Sequence, residues 1–306
     1  MAKKNMESTA SDGSRAISKF HISDVIIMLV LVILCATCII PFWHLLVKSI
    51  SSDMAVMMKE VFLWPKELTF SAYSKVFADR SMVRSMFYSV VVTLIFTLLG
   101  MIVCTCAAYP LSKKRLKGKG FFTFMLMVPM YFTAGMIPSF MLMFYLNLID
   151  TMWVLILPLI YSPYNMLVMK TYLQSTIPDS LEESAYLDGA TNFQVLRKIV
   201  LPLSKPIIAT LSLFYAVGRW NAYGDHMYYI RSDSKRMIQY KLYLLIQGAE
   251  ASISASLGDT GGATNITTPE VLQAACIMFV SIPIIIVYPF LQKYFVKGAM
   301  IGAVKG

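Results

Sequence analysis

Charge is scarce in this sequence. Asp, Glu, Lys and Arg make up 14% of its 306 residues and hydrophobic residues 57%, whereas soluble domains carry about 25% charge. With a mean hydropathy of +0.64, the chain reads as an integral membrane protein. Histidine is rarer still: His21, His44 and His226 are the 3 present, scattered and without metal-ligand spacing. The 5 cysteines, Cys35, Cys38, Cys104, Cys106 and Cys276, all fall inside apolar runs, where a thiol behaves as a small apolar group. The Cys35–Cys38 spacing is therefore read as neither a redox pair nor a metal site. No Ser-His-Asp or Cys-His set occurs, and no pair of carboxylates lies within an apolar run. A phosphate cradle is missing too: Lys119 follows Gly118, but the position five before Gly118 is Lys113 and no strand leads into it. No cofactor or metal is implied. Lys3 and Lys4 are followed by a largely polar stretch rather than a short apolar core, so no cleavable signal peptide is expected.

Long uncharged runs fill the rest. Val25–Val47 spans 23 residues without a charge, and about 20 cross a bilayer. Ser85–Ser112 and Phe121–Ile149 hold 28 and 29 uncharged residues; the second is too long for one untilted helix and should end near Pro138. Thr151–Met169, Pro206–Gly224 (interrupted only by Arg219) and Val271–Gln292 complete the set. The expectation is an all-α membrane protein of six transmembrane helices, at about 25–47, 85–110, 121–141, 151–171, 205–224 and 271–292. A mobile tail, 1–22, precedes this 23–292 domain. A loop at 173–204 joins spans four and five. A polar loop, Asp225–Glu270, joins spans five and six; the Gly, Ala, Ser and Thr of its Gly248–Thr268 part favour flexibility. A basic tail, 293–306, ends the chain.

The net charge of +10 has no Lys/Arg-rich face or recognition motif behind it, which argues against a nucleic-acid partner. The basic residues lie in loops beside apolar runs, where they meet anionic lipid and set orientation. The short loop Lys113–Lys119 carries 5 of the 27 Lys and Arg and weighs most. It predicts that both termini and the 173–204 loop are cytoplasmic.

One polar stretch stands out: Glu183-Ser184-Ala185-Tyr186-Leu187-Asp188-Gly189, followed by Ile199-Val200-Leu201-Pro202. Ser180 and Glu183 have capping-box spacing, and Pro178 discourages helix just upstream. A short helix over Leu181–Asp188 follows, ended by Gly189 as a left-handed residue. Asn192 then caps a second helix, which Pro202 breaks. Asp188 sits at a helix end where the dipole disfavours a carboxylate, so it calls for a partner: Arg197, Lys198, or a basic group on another protein. On these residues alone an amphipathic connector lying on the membrane surface stays open.

The stretch resembles the "EAA" signature of ABC importer permeases. Glu183-Xaa-Ala185, Gly189 after three residues, and Ile199-Xaa-Leu201-Pro202 after nine more all match in register, as does Asp188; Ser184 stands where that family usually has Ala. The resemblance implies the type I (MetI-like) permease fold. It also implies an ATPase-coupling role for Glu183, Ser184, Ala185, Asp188, Gly189, Ile199, Leu201 and Pro202, the first helix docking in a groove of a cytoplasmic ATPase.

The chain end, Gln292-Lys293-Tyr294-Phe295-Val296-Lys297-Gly298 and Gly302-Ala303-Val304-Lys305-Gly306, is similar to that of the maltose-type, MalG-like and LplC-like carbohydrate permeases. There the tail reaches the ATPase interface, which implies contacts by Lys297, Gly298 and Lys305; a basic anchor on anionic lipid is the other reading. Gly218-Arg219-Trp220-Asn221 carries the family's Trp-Asn at the outer end of span five. A charge at membrane depth usually faces a cavity or a partner, which places Arg219, Trp220 and Asn221 on the translocation pathway unless Arg219 snorkels to the interface.

The resemblance implies, finally, a non-enzymatic transport subunit of a bacterial cytoplasmic membrane, forming half of the pathway for a sugar or oligosaccharide. Its implied partners are a second, MalF-like permease, two copies of an ABC ATPase that hydrolyses the ATP, the lipid bilayer, and an extracytoplasmic solute-binding protein whose cleft the 248–268 loop enters. An importer of a non-sugar solute, or a membrane scaffold or sensor on the same fold, are the alternatives.

Overall fold

The computed structural model describes residues 22–256 and 269–303, and among these there is helix but no strand. The chain divides into two units, 1–44 and 45–306. What is described of the first is most of α1 (Ile22–Ser49). Every side chain from Val25 to Leu34 is exposed, as suits a helix whose solvent is hydrocarbon.

In the second unit α2 (Asp53–Met57) and α3 (Ser71–Ala78) lead to α4 (Arg80–Ser112), a helix of 33 residues. Asp79 caps α4, accepting from the amides of Ser81 and Met82. Ser85, Ser89, Thr93, Gly100, Cys104 and Ala108 are buried along it. Their helical spacing puts these small residues on one stripe, which lets neighbouring backbones come close. At Gly100 the approach is tightest: a Cβ there would lie 2.8 Å from the Tyr215 ring. Against the stripe pack α7 (Pro163–Thr176) and α11 (Lys205–Asn221), with Phe96, Met166, Met169, Leu173 and Leu211 between them. A second core, including Val56, Val76, Trp220, Ile238 and Ala275, joins α2, α3, α13 (Ile238–Ser256) and α14 (Pro269–Ala303).

Ser23–Ser49, Arg80–Ser112 and Glu270–Pro289 are each long and apolar enough to cross a membrane, and they fall on expected spans one, two and six. The third is two helices, α5 (Lys119–Tyr131) and α6 (Met136–Tyr145), bent by 111°. The break lies at 132–135, where Gly135 takes a φ of 82°, and not near Pro138. Pro138 occupies the first turn of α6, where a missing N–H costs nothing. The fourth, 151–171, is not one helix: a 3-10 turn, Met152–Leu155, precedes α7, which starts only at Pro163 with Ser162 as its cap. Pro158 and Pro163 remove donors that a continuous helix needs.

One loop and one helix end are also corrected. Asp225–Glu270 contains α12 (Gly224–Tyr229), a 3-10 turn at Asp233–Lys235, and α13. Gly248–Ser256 is thus helix where composition predicts a flexible loop; 257–268 lie outside the described residues. The sixth helix does not stop at Gln292: α14 runs on to Ala303.

Candidate functional site

The Pro178–Pro202 segment begins with α8 (Asp179–Leu187). Pro178 is its N-cap and no side chain caps the start, so the expected Ser180–Glu183 capping box does not form. The helix starts before Ser180, which leaves that residue in the first turn, where its carbonyl accepts from the Ser184 hydroxyl at 3.0 Å. Asp179 and Glu182 complement the positive end of the dipole. At the far end Gly189 has φ 78°. Its amide donates to Tyr186 O (3.0 Å) and that of Ala190 to Ala185 O (2.9 Å), the two bonds of a Schellman cap.

The next helix is capped by Thr191, one residue before the expected Asn192. Gln194 N donates to Thr191 Oγ1 at 3.4 Å and Thr191 N to Gln194 Oε1 at 2.8 Å, which is a capping box. α9 (Asn192–Val195) passes into a π turn, Leu196–Val200, and then α10 (Leu201–Leu203). The helix does not break at Pro202. The wider winding accommodates a residue without an N–H, and the bend, 81°, comes at Ser204 ahead of α11. Ile199 packs on the core, Leu201 is half-buried and Pro202 exposed.

α8 has two faces. On the inner one Glu182 is 4% exposed and accepts from Lys113, the residue that follows α4. Lys113 also stands 4.9 Å from the centre of the Tyr109 ring. Lys114 pairs with Asp179 at 2.9 Å; its hydrogen bond holds the Asp179 carboxyl below the ordinary value, and Asp179 in turn raises Lys114. Arg115 Nη2 donates to the Tyr186 hydroxyl (2.7 Å) and to Asn192 Oδ1 (2.6 Å), its guanidinium 4.6 Å over the Tyr186 ring. Consecutive basic residues thus hold both helices of the segment. Ala185 and Tyr186 also rest on the core.

The outer face carries Glu183, Ser184, Leu187, Asp188 and Gly189, all exposed, with Leu187 at 89%. Phe193, just beyond the cap, is 68% exposed. Among the described residues neither Glu183 nor Asp188 forms an ion pair; Arg197 and Lys198 do not take up Asp188. Sequence reasoning missed Glu182 and Asp179, and read Lys113–Arg115 only as orientation charges. The available signal was spacing, since Asp179, Glu182 and Tyr186 recur at three and four and so share a face.

Residues 105–301 match the family described as the binding-protein-dependent transport system inner membrane component. This chain belongs to that family. With its apolar helices it is a multi-pass membrane protein. Similar to this inner membrane component is Protein LplC of Bacillus subtilis (strain 168), 38% identical over 274 residues, 89% of this chain and 90% of LplC. The polygalacturonan/rhamnogalacturonan transport system permease protein YtcP of the same organism is 36% identical over 289 residues, 94% of this chain and all of YtcP. A solved chain from a bacterial ABC transporter involved in the import of the acidic polysaccharide alginate superposes with a TM-score of 0.80 at 34% identity, over 90% of this chain and 99% of that one.

The other residues singled out in this inner membrane component separate in space. Arg219 does not snorkel: it is 2% exposed, and its Nη1 donates to Asp225 Oδ2 (2.7 Å) and Leu155 O (3.0 Å). Trp220 turns into the second core, and Asn221, exposed, accepts from Gln239 Nε2 at 3.3 Å. Successive helical residues point about 100° apart, so the three share no surface, and Arg219 alone lines the cavity walled by α4, α7 and α11. Lys297 and Gly298 lie within α14; Lys305 lies outside the described residues.

Proposed function

We propose that this chain is one permease subunit of a bacterial ABC importer, that it forms half of the pathway for a sugar or oligosaccharide, and that the Pro178–Pro202 segment couples it to a cytoplasmic ATPase. The observation that carries the proposal is the two-faced α8. Its inner face is tied to the end of α4 through Glu182 and Asp179. Its outer face offers Leu187, Glu183, Asp188 and the neighbouring Phe193. Exposed apolar side chains beside carboxylates that form no ion pair among the described residues suit a second protein. A clamped helix passes any displacement of that surface to α4, around which the second unit is built.

In this reading a second, non-identical, MalF-like permease completes the pathway. Two copies of the ATPase sit below it and hydrolyse the ATP, and an extracytoplasmic solute-binding protein delivers the solute, in keeping with a binding-protein-dependent family. Both termini and α8 are cytoplasmic, as the loop charges predict. Lys297, Gly298 and Lys305 add ATPase contacts, and Arg219 marks the pathway. The cargo class rests on similar proteins: YtcP is named for polygalacturonan and rhamnogalacturonan, and the structural neighbour belongs to an alginate importer.

Reconstituted in vesicles with its partner subunits, the chain should support ATP-dependent uptake of a labelled oligosaccharide only when the binding protein is supplied. Uptake indifferent to ATP, or an ATPase that never co-purifies with the chain, overturns the proposal.

A further inference from the structure

Arg219 has an unused edge. Its Nη1 is engaged by Asp225 and Leu155, but Nε and Nη2 are buried and find no acceptor among the described residues. These are the two parallel donors of the guanidinium's side, spaced for both oxygens of one carboxylate. Leaving charged donors buried without an acceptor is costly, and the Phe96 ring of α4, its centre 5.9 Å from the guanidinium carbon, holds the cation without supplying one.

The residue lines a cavity of about 280 Å³ that is also walled by Phe96, Ser162, Asn165, Tyr215 and Asp225. The Phe96 and Tyr215 rings meet edge to face at 5.7 Å and supply apolar surface. Ser162, Asn165 and Asp225 supply donors and acceptors for hydroxyls. A mostly apolar wall with a few convergent polar groups is the ordinary make-up of a small-molecule site.

We propose that this cavity is a solute subsite carried by this subunit, and that it takes an acidic sugar: a uronate unit whose carboxylate engages the Nε–Nη2 edge of Arg219. The proposal rests on the oligosaccharide-permease reading and adds the chemical class. Asp225 does not exclude a second carboxylate. Its side chain is 25% exposed and keeps part of its hydration, so the two anions flank one guanidinium without both being fully desolvated. Nε and Nη2 are closed off in this conformation, so the contact forms as the helices around the cavity part during transport.

The test is equilibrium dialysis of the purified permease–ATPase complex against a labelled galacturonate trisaccharide and the matching galactose trisaccharide. Wild type should bind the acidic one more tightly. Arg219→Lys keeps the charge and loses the fork, and should weaken that binding about ten- to a hundredfold while leaving the neutral sugar unchanged. Leu159→Asp, which adds a like charge to the wall at a position that contacts neither Arg219 nor the hydroxyl-binding groups, should also weaken only the acidic sugar. Equal binding of the two sugars by wild type, or acidic binding untouched in both variants, overturns the acidic-sugar subsite. So does binding of neither sugar. Uptake of an oligosaccharide by vesicles of the same preparation then shows whether the permease reading itself survives.

Discussion

Lys113 and Glu182, 69 positions apart, meet as an ion pair whose side chains are only 10% and 5% exposed. Removing one partner strands the other's charge in a buried setting, which costs about 3–5 kcal/mol. Glu182→Ala should therefore lower the thermal midpoint in detergent and expose the 113–119 loop to protease. Replacing both, Lys113→Met with Glu182→Leu, should recover most of that stability, because an apolar pair of similar size needs no compensating charge. A double variant no more stable than Glu182→Ala would show that the pair does not hold α8.

Glu183 and Gly189 lie on the opposite face, so their substitution should spare folding and strike docking. Glu183→Lys and Gly189→Asp are both expected to insert in the membrane, to lose the ATPase on co-purification, and to abolish uptake. At Gly189 nothing lies within 4 Å of an added Cβ. Only the backbone conformation is penalised, by about 1 kcal/mol, so Gly189→Ala should be far milder than Gly189→Asp. Full docking and full uptake in both Glu183→Lys and Gly189→Asp would reduce the segment to a connector.

Asp150 predicts an acid-dependent loss of stability elsewhere in the chain. Its carboxylate accepts from the amides of Arg231 (3.2 Å) and Ser232 (3.0 Å), from the Ser232 hydroxyl and from Lys235. Burial opposes the charge, but these bonds outweigh it and lower the group from 3.8 to about 2. A depressed carboxyl stabilises the fold fully above its unfolded value and loses that contribution as pH falls through the folded one. The thermal midpoints of wild type and Asp150→Asn should thus differ at neutral pH and converge towards pH of about 2. Curves that stay parallel throughout would contradict this.

Orientation is tested by fusion. A reporter active only in the cytoplasm should work when joined after Lys119 or Gly306 and be silent after Gly258. The reverse pattern would put α8 on the wrong side for an ATPase.

The long apolar helices at expected spans one, two and six were legible because an uncharged run of that length is what a bilayer-crossing helix needs. The end of α8 was legible because Gly189 is the residue that a left-handed cap prefers. What escaped depended on tertiary neighbours. Glu182 and Glu183 are chemically alike, and only the position of Lys113 decides which is buried. Thr191 and Asn192 are both good caps, and Gln194 three residues on favoured Thr191. Arg219 could be picked out as a charge in an apolar run, but its Asp225 partner sat in what read as a loop. The 151–171 run is apolar enough for a span, yet its prolines delay the helix to Pro163.

Leu196–Val200 winds with one more residue per hydrogen-bonded ring than the α-helices on either side, the Leu201 amide reaching back to Leu196 O. Returning that ring to α winding turns everything on one side of it by about 100° against the other and shifts it about 1.5 Å along the axis. The joint between the clamped segment and α11 thus stores one residue more than α winding would hold, directly ahead of the 81° bend that leads into α11.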